Sequence, residues 1–338
     1  MITENKKTVL TGIKPTGNIH LGNLLGAIGP AIEMANSSEY DRSIFFIADA
    51  HALTSVKDPV AFKNYVYEVA ATWIALGLDL EKSIFFKQSD VKEVFELTWL
   101  LNCMTPKGDL NRAHSYKDKV QKNMEAGKDS DLGVNMGLFD YPVLMSADIL
   151  LYDSTHVPVG KDQIQHVEIA RSIAGRTNEY FGDGALVEPM EVIQKEGAYI
   201  VGLDGRKMSK SYGNIIAIWD SEKKLKKTIN KITTDSSAPE DPKDPENCNI
   251  MQLYRLFASS EQISSLEKRY QEGIGWGHAK EELFNVVNEY FKEPREKFNY
   301  LMENKEEIDS ILADGATRAE SIAKETMKRI RKAMTGFN

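Results

Sequence analysis

Two short clusters and one isolated carboxylate carry most of the chemistry this sequence can do. The first cluster is Thr11-Gly12-Ile13-Lys14-Pro15-Thr16-Gly17-Asn18-Ile19-His20-Leu21-Gly22-Asn23, and the second is Lys207-Met208-Ser209-Lys210-Ser211. Glycines in a turn from strand to helix let the backbone come close to a ligand, and the helix N-terminus beyond offers N–H groups to an anion. A phosphate is the natural guest, with His20 and Asn23 placed to meet it or its nucleoside. A glycine-rich turn around a buried histidine is the competing reading. The second cluster sets lysines and hydroxyls between Gly205 and Gly213, on a loop able to close over phosphates and to release them. The carboxylate is Asp148, alone among Met145, Ile149 and Leu151. A buried charge without a partner is costly, so Asp148 calls for an arginine, a backbone amide or a ligand's N–H.

The elements that position these groups follow from hydrophobic patterning. Thr8-Val9-Leu10 reads as a short buried strand, and 24–28 starts a helix that runs on through 31–35. Segment 43–49 is a continuous apolar run of the kind buried on both faces, ending at Asp49 and followed by His51. A helix follows Asp58-Pro59, with apolar positions at Val66, Val69, Ala70, Trp73 and Leu76, and 83–87 is the next strand. This β-α-β-α-β order predicts a doubly wound parallel sheet of Rossmann-like α/β type, whose ligands bind at the carboxyl ends of the strands. There the sequence places the glycine turn, Asp49 and His51. Residues 91–126 are helical in pattern, broken at Pro106 and Gly108. A polar segment, 127–133, precedes the apolar helix of Asp148. Segment 156–160 is another buried strand, with Lys161-Asp162-Gln163 at its carboxyl end, and 198–203 is the last strand. From about Ser221 helical periodicity takes over. Lys223-Lys224-Leu225-Lys226-Lys227 is a basic helix start, the Pro-, Asp- and Glu-rich stretch 236–247 reads as an exposed loop, and the rest is all-helical. The last helix carries Lys324, Lys328, Arg329, Arg331 and Lys332, a solvated face or an RNA contact.

Composition narrows the function classes. With 338 residues and 42% hydrophobic content, the chain can build one large α/β domain and a smaller one. The polar start, Met1 to Lys7, has neither signal-peptide nor transit-peptide character, and no apolar run is long enough for a bilayer, so the expected compartment is the cytoplasm. Cys103 and Cys248 lack metal-ligand spacing, and no metal site is expected of them; they read as buried small hydrophobes. A net charge of −8 argues against non-specific coating of nucleic acid and leaves a local basic face open.

The two clusters, in this order around a Rossmann-like sheet, resemble the signature motifs of class I aminoacyl-tRNA synthetases, the second letter for letter. Segments 12–17, 48–54, 145–152 and 157–163 and the helical C-terminus narrow the resemblance to the bacterial tryptophanyl-tRNA synthetases, over nearly the whole chain. It implies a catalytic domain over 1–216 with a helical dimerisation insert around 90–140. It implies an anticodon-binding helical domain over 217–338, whose last helix can pack back on the catalytic one. The substrates are then ATP with Mg2+, L-tryptophan and tRNA(Trp), and the assembly a homodimer. His20, Asn23, Lys119, Lys207 and Lys210 become the catalytic set. Lys14, Gly22, Asn23, Gly160, Asp162, Ile200, Met208, Ser209 and Ser211 join Lys207 and Lys210 around ATP. Leu10, His51, Met145, Val157 and Val159 line the indole pocket, Asp148 accepts the indole N–H, and Tyr141 and Gln163 hold the α-amino group.

A lone carboxylate among apolar side chains suits tryptophan, since an indole offers one donor and no acceptor. Tyrosyl enzymes usually place a tyrosine in the first strand, where this chain has Val9 and Leu10. The sequence departs from the commonest family pattern at Lys14 (glutamine), Leu10 (phenylalanine), Ser146 (alanine) and His20 (threonine). The rivals are a tyrosyl-type ligase, another nucleotidyltransferase of the superfamily, and a non-catalytic paralogue that binds tryptophan or RNA.

Overall fold

The structure, a computed structural model, describes residues 6–17, 19–193 and 200–337, with the Asp162 side chain left out. The chain forms two compact units: one of Met1–Gly17, Ala31–Lys195 and Asn304–Asn338, the other of Asn18–Pro30 and Glu196–Glu303.

The first unit is built on a five-stranded sheet in the order β3-β2-β1-β4-β5. The strands are β1 (Thr8–Ile13), β2 (Arg42–Ile47), β3 (Ser83–Lys87), β4 (His156–Val159) and β5 (Met190–Ile193), and every pairing is parallel. β1 and β2 run in register from Thr8 opposite Arg42 to Ile13 opposite Ile47. The chain therefore winds outward from β1 in both directions, and the crevice where the order reverses lies between β1 and β4. Alternation sorts the side chains onto two faces. Leu10, Ile44, Phe46, Ile84, Phe86, Val157 and Val159 pack in one buried cluster with Val143, Ala147 and Ile149 of the Met136–Leu150 helix and Val167 and Ala170 of the Ile164–Phe181 helix. On the opposite face Phe45 and Phe85 meet Trp73 of the Pro59–Ala75 helix at ring-centroid distances of 5.2 and 6.3 Å.

The fifth strand was expected at 198–203 and lies at Met190–Ile193 instead, a short edge strand whose end residues Met190 and Ile193 are exposed and so lack a buried pattern. Of 198–203, the first two residues lie outside the described ones. The rest closes a tight hairpin in the second unit, with Gly202 N–H on Arg206 O at 2.7 Å and Met208 N–H on Ile200 O at 2.8 Å.

β3 is the other edge, and unpaired edge strands invite aggregation unless covered. The helix Lys305–Thr335 covers it so closely that a Cβ on Gly315 would stand 1.8 Å from the Phe85 carbonyl oxygen. Side chains clamp the same helix along its length: Tyr67 donates to Asp309 at 3.0 Å, Arg318 to the Leu80 carbonyl at 3.1 Å, and Arg329 to the Ala185 carbonyl at 3.0 Å. Arg329 also pairs with Asp153, Arg331 with Glu96 and Lys324 with Glu320. The basic face read from the sequence as solvated or RNA-facing is thus largely engaged by the protein's own carboxylates.

In the second unit, helices Glu222–Ile229, Asn249–Tyr254, Ser260–Glu272, Trp276–Tyr290 and Lys292–Glu303 pack together. The 236–247 stretch is not simply exposed loop. It wraps buried Lys243, whose ammonium donates to the carbonyls of Ala238 at 2.8 Å and Asp241 at 2.9 Å and lies 5.3 Å from the Trp276 ring centroid. Among the described residues, no helix is long and apolar enough to cross a membrane.

Gly315→Ala sets a helix-propensity gain of at most about 1 kcal/mol against a backbone clash of about 1–3 kcal/mol or more, so net destabilisation is expected in urea unfolding. Gly277→Ala, at a helical position with nothing within 4 Å of the added carbon, is the contrasting case and should be neutral or stabilising.

Candidate active site

In the first unit, strand ends deliver polar groups to one buried carboxylate. β2 runs into Asp49 and His51, and β3 runs into Gln88 and Ser89. Both strands are apolar through their centres, 44–47 and 84–86, because both faces are covered, and polar side chains resume at the carboxyl ends. Asp148, 2% exposed near the end of the Met136–Leu150 helix, meets them there. His51 Nε2–H donates to Asp148 Oδ2 at 2.8 Å, and Gln88 Nε2 donates to Oδ1 at 2.8 Å and Oδ2 at 3.0 Å. Burial pushes the Asp148 pKa above the usual carboxylate range, and the His51 and Gln88 hydrogen bonds pull against that rise. Asp49 is also buried and raised by burial, and it accepts from the Ser89 hydroxyl at 2.6 Å and from the Ser89 N–H at 3.0 Å.

Tyr141, two turns before Asp148 on the same helix, stands edge-on to His51 at 6.4 Å between ring centroids. Its hydroxyl shares hydrogen bonds with His166 Nε2 at 2.9 Å and Ser115 Oγ at 3.0 Å. Leu10, Val157 and Val159 are buried in the apolar cluster under this helix, and half-buried Met145 packs against it. Ser146 returns its hydroxyl to the Pro142 carbonyl at 2.7 Å, so its departure from alanine leaves no unsatisfied polar atom. Lys14 donates to Thr54 Oγ1 at 2.9 Å, and Thr54 in turn donates to the His51 carbonyl, which ties Lys14 to the end of β2. Gly160 follows β4 and its carbonyl accepts from the Gln163 N–H at 2.9 Å. Lys119, on the His114–Glu125 helix, packs beside Gly133 and takes no part in the contacts that join Asp148, His51 and Gln88.

The second unit by itself brings the end of the first cluster, residues 19–23, against the second cluster. His20 caps the short turn Leu21–Asn23: its Nδ1 accepts the Gly22 N–H at 3.1 Å, and its own N–H donates to Asn23 Oδ1 at 3.2 Å. Leu21 N–H is bound to the Ile216 carbonyl at 3.0 Å and Asn23 N–H to the His20 carbonyl at 2.9 Å. The N–H groups expected to await an anion are therefore satisfied internally, because His20 turns inward as a cap. With Nδ1 accepting, its remaining ring proton is on Nε2. Burial and the Lys210 ammonium together depress the His20 pKa from 6.5 to about 4, so the ring is neutral at physiological pH. A Cβ on Gly22 would lie 3.0 Å from the His20 ring and 3.7 Å from Met208 Cβ, which places the first cluster against the second.

The 207–211 loop hangs on buried Asn214. Its Oδ1 accepts the Ser209 N–H at 2.8 Å, and its Nδ2 donates to Asp204 Oδ1 at 2.7 Å and to the Lys207 carbonyl at 3.2 Å. Ser209 and Ser211 share a 2.8 Å hydroxyl contact. Met208 and Ile200 are buried, while Lys207, Lys210 and Ser211 are exposed. The loop is thus anchored by an apolar residue and an amide, with its cationic side chains outward.

The sequence reading missed Gln88, Ser89, Ser115, His166 and Asn214. Gln88 and Ser89 carried the same signal as Asp49 and His51, a polar residue directly after a buried parallel strand. Gly12 and Gly17 turn out to serve packing: a Cβ would strike the Phe46 ring at 2.4 Å and the Tyr65 ring at 2.3 Å.

Residues 3–292 match the family model of the class I tRNA synthetases for W and Y. The chain belongs to this family. Among curated relatives, the synthetase is 48% identical to the tryptophan–tRNA ligase of Pseudomonas aeruginosa, over 96% of this chain and 73% of the relative. It is 50% identical to the tryptophan–tRNA ligase of Campylobacter jejuni, over 95% of this chain and 98% of the relative. Among solved structures, the Campylobacter jejuni tryptophanyl-tRNA synthetase complexed with ADP and tryptophan superposes with a TM-score of 0.89 at 49% identity, covering 96% of this chain and 98% of that one. The parallel sheet order and the helical C-terminal region of the synthetase are those of the expected Rossmann-like fold.

The depressed His20 pKa has a sign that can be measured. Between about 4 and 6.5 the unfolded synthetase binds a proton that the folded one refuses. His20's share of stability is therefore present in full above pH 6.5 and is lost as the pH falls toward 4. Urea unfolding across this range should show a shallower acid loss in His20→Gln than in the parent synthetase.

Proposed function

We propose that this synthetase activates L-tryptophan with ATP, giving tryptophanyl-adenylate and pyrophosphate, and then transfers tryptophan to the 3′-terminal adenosine of tRNA(Trp). The observation that carries the reading is Asp148, a buried carboxylate acceptor on the helix that packs over Leu10, Val157 and Val159, with Met145 beside it. An indole brings one N–H and no acceptor, and a carboxylate left unpaired penalises any side chain without that N–H. The ligases that the synthetase matches at nearly half its residues act with tryptophan, which supports the same choice.

In the activation step an oxygen of the tryptophan carboxylate bonds to the α-phosphorus of ATP, and the bond from that phosphorus to the pyrophosphate oxygen breaks. Charge spreads onto the phosphate oxygens as this happens, and donors aimed at that charge lower the barrier. His20, Asn23, Lys119, Lys207 and Lys210 supply those donors. His20 acts as a neutral Nε2–H donor rather than a cation. Lys14, Gly22, Gly160, Asp162, Ile200, Met208, Ser209 and Ser211 complete the contacts to ATP, and Tyr141 and Gln163 hold the amino group of tryptophan. Mg2+ arrives with ATP as part of that substrate and neutralises phosphate charge.

Residues 1–216 form the catalytic domain in this reading, and 217–338 the part that reads the anticodon, with the last helix packed back. The enzyme works as a homodimer in the cytoplasm, joined across the insert around 90–140. Exposed Phe95, Trp99, Met124, Leu132 and Met136 in that stretch support the interface, since large apolar side chains in contact with water cost free energy that a partner removes.

ATP–pyrophosphate exchange with each proteinogenic amino acid should respond to tryptophan alone; exchange that follows tyrosine and ignores tryptophan overturns the assignment. Lys210→Ala should lower the exchange rate by about 100-fold or more while tryptophan binding, followed by calorimetry, stays within a few-fold.

A further inference from the structure

We propose that Gln88 is a positioning residue for amino-acid choice: it holds Asp148 as an obligatory hydrogen-bond acceptor, and so makes the ring N–H of the substrate a requirement. The inference rests on the reading of Asp148 as the group that meets the indole. Gln88 is 2% exposed at the carboxyl end of β3. An amide can face a carboxylate with its NH2 or with its carbonyl oxygen, and the two orientations have opposite consequences. Here the orientation is set from behind. The Ala50 N–H, shared with Asp49 Oδ1 at 3.0 Å, donates to Gln88 Oε1 at 3.1 Å, so the oxygen faces a donor and the NH2 is turned onto Asp148. Flipping the amide would set its NH2 against the Ala50 N–H and its oxygen against the carboxylate, two repulsive contacts in place of two bonds.

The distribution of donors over the two carboxylate oxygens adds a direction. Oδ2 accepts from both His51 at 2.8 Å and Gln88 at 3.0 Å, whereas Oδ1 accepts from Gln88 at 2.8 Å. A carboxylate oxygen has two lone pairs, so among the described residues Oδ1 keeps the vacant one. Gln88 and His51 also both stabilise the charged form of Asp148, against the upward push of burial. A neutral carboxyl could itself donate and would tolerate a substrate lacking the N–H. Gln88 therefore acts through Asp148: it fixes which oxygen is offered and keeps that oxygen an acceptor. The same amide links the ends of β2 and β3, so the acceptor is held by the rigid sheet rather than by a loop.

The test compares L-tryptophan with β-benzothienylalanine, an analogue in which sulfur replaces the ring N–H, in ATP–pyrophosphate exchange by the full-length protein. The parent enzyme should prefer tryptophan strongly. Gln88→Met keeps the volume and removes both donors. It should raise KM for tryptophan about 10- to 100-fold, leave kcat and KM for ATP within about 3-fold, and lower the tryptophan-to-analogue preference by a matching factor. Gln88→Leu also removes the donor without adding a charge or a shareable proton; it should lose the preference at least as fully, and it answers the question if the Met variant does not fold. Either variant, folded by thermal melt, overturns the proposal if it keeps the parent preference, or if KM rises equally for both substrates as a merely structural defect would produce. If the parent enzyme itself fails to prefer tryptophan over the analogue, the role of Asp148 fails first and Gln88 falls with it.

Discussion

A carboxylate enclosed by aliphatic side chains has to be answered by donors, and much of the first unit can be understood as the means of bringing donors to Asp148. His51 comes from the end of β2 and Gln88 from the end of β3, each released from an apolar strand at the point where the sheet stops covering it. The helix that carries Asp148 lies over Leu10, Phe46, Phe86 and Val157 on one face of the sheet, which removes the water that would otherwise satisfy the charge. Burial raises the pKa of Asp148, so at neutral pH the group subtracts from stability. In the proposed reading, that cost is kept for recognition of the substrate.

His20 is a contrasting solution to the same problem of a titratable group under cover. Its proton is refused, and the ring becomes a fixed part of the backbone cap, accepting at Nδ1 and keeping one N–H at Nε2. The lysines of the 207–211 loop are exposed, while Asn214 fixes the backbone. Permanent charge is thus placed on the surface, and the neutral His20 and Asn214 are placed where hydrogen bonds fix the backbone.

How far the sequence was legible follows from how local each signal is. β1 to β4 were readable because a strand covered on both faces has an apolar centre, as at Val9-Leu10, 44–47, 84–86 and 157–159, and Asp148 was readable because it interrupts an apolar helix. β5 was not, since an edge strand with exposed Met190 and Ile193 shows no such pattern. The partners of Asp148 were outside reach for another reason: Gln88 lies 60 residues away and is joined to it only by the register of β2 with β3. Lys243 shows the same limit, as a cation in an acidic, proline-containing stretch reads as solvated until its carbonyl cage is seen. The basic residues of the last helix were read correctly as a face but not by destination, because Asp153 and Glu96 sit far away in sequence.

The close seat of Gly315 on Phe85 also sets an order of events on the ribosome. β3 is made early, yet the helix that shields its free edge comes only after the whole of 196–303 has been synthesised. Throughout that interval the nascent sheet carries an open, apolar strand edge, the kind of surface that pairs wrongly with other chains. Completion of the first unit is therefore a late step. The residues 305–335 act as its closure, since Ala319, Ala323, Met327 and Ile330 complete the buried cluster that the sheet begins.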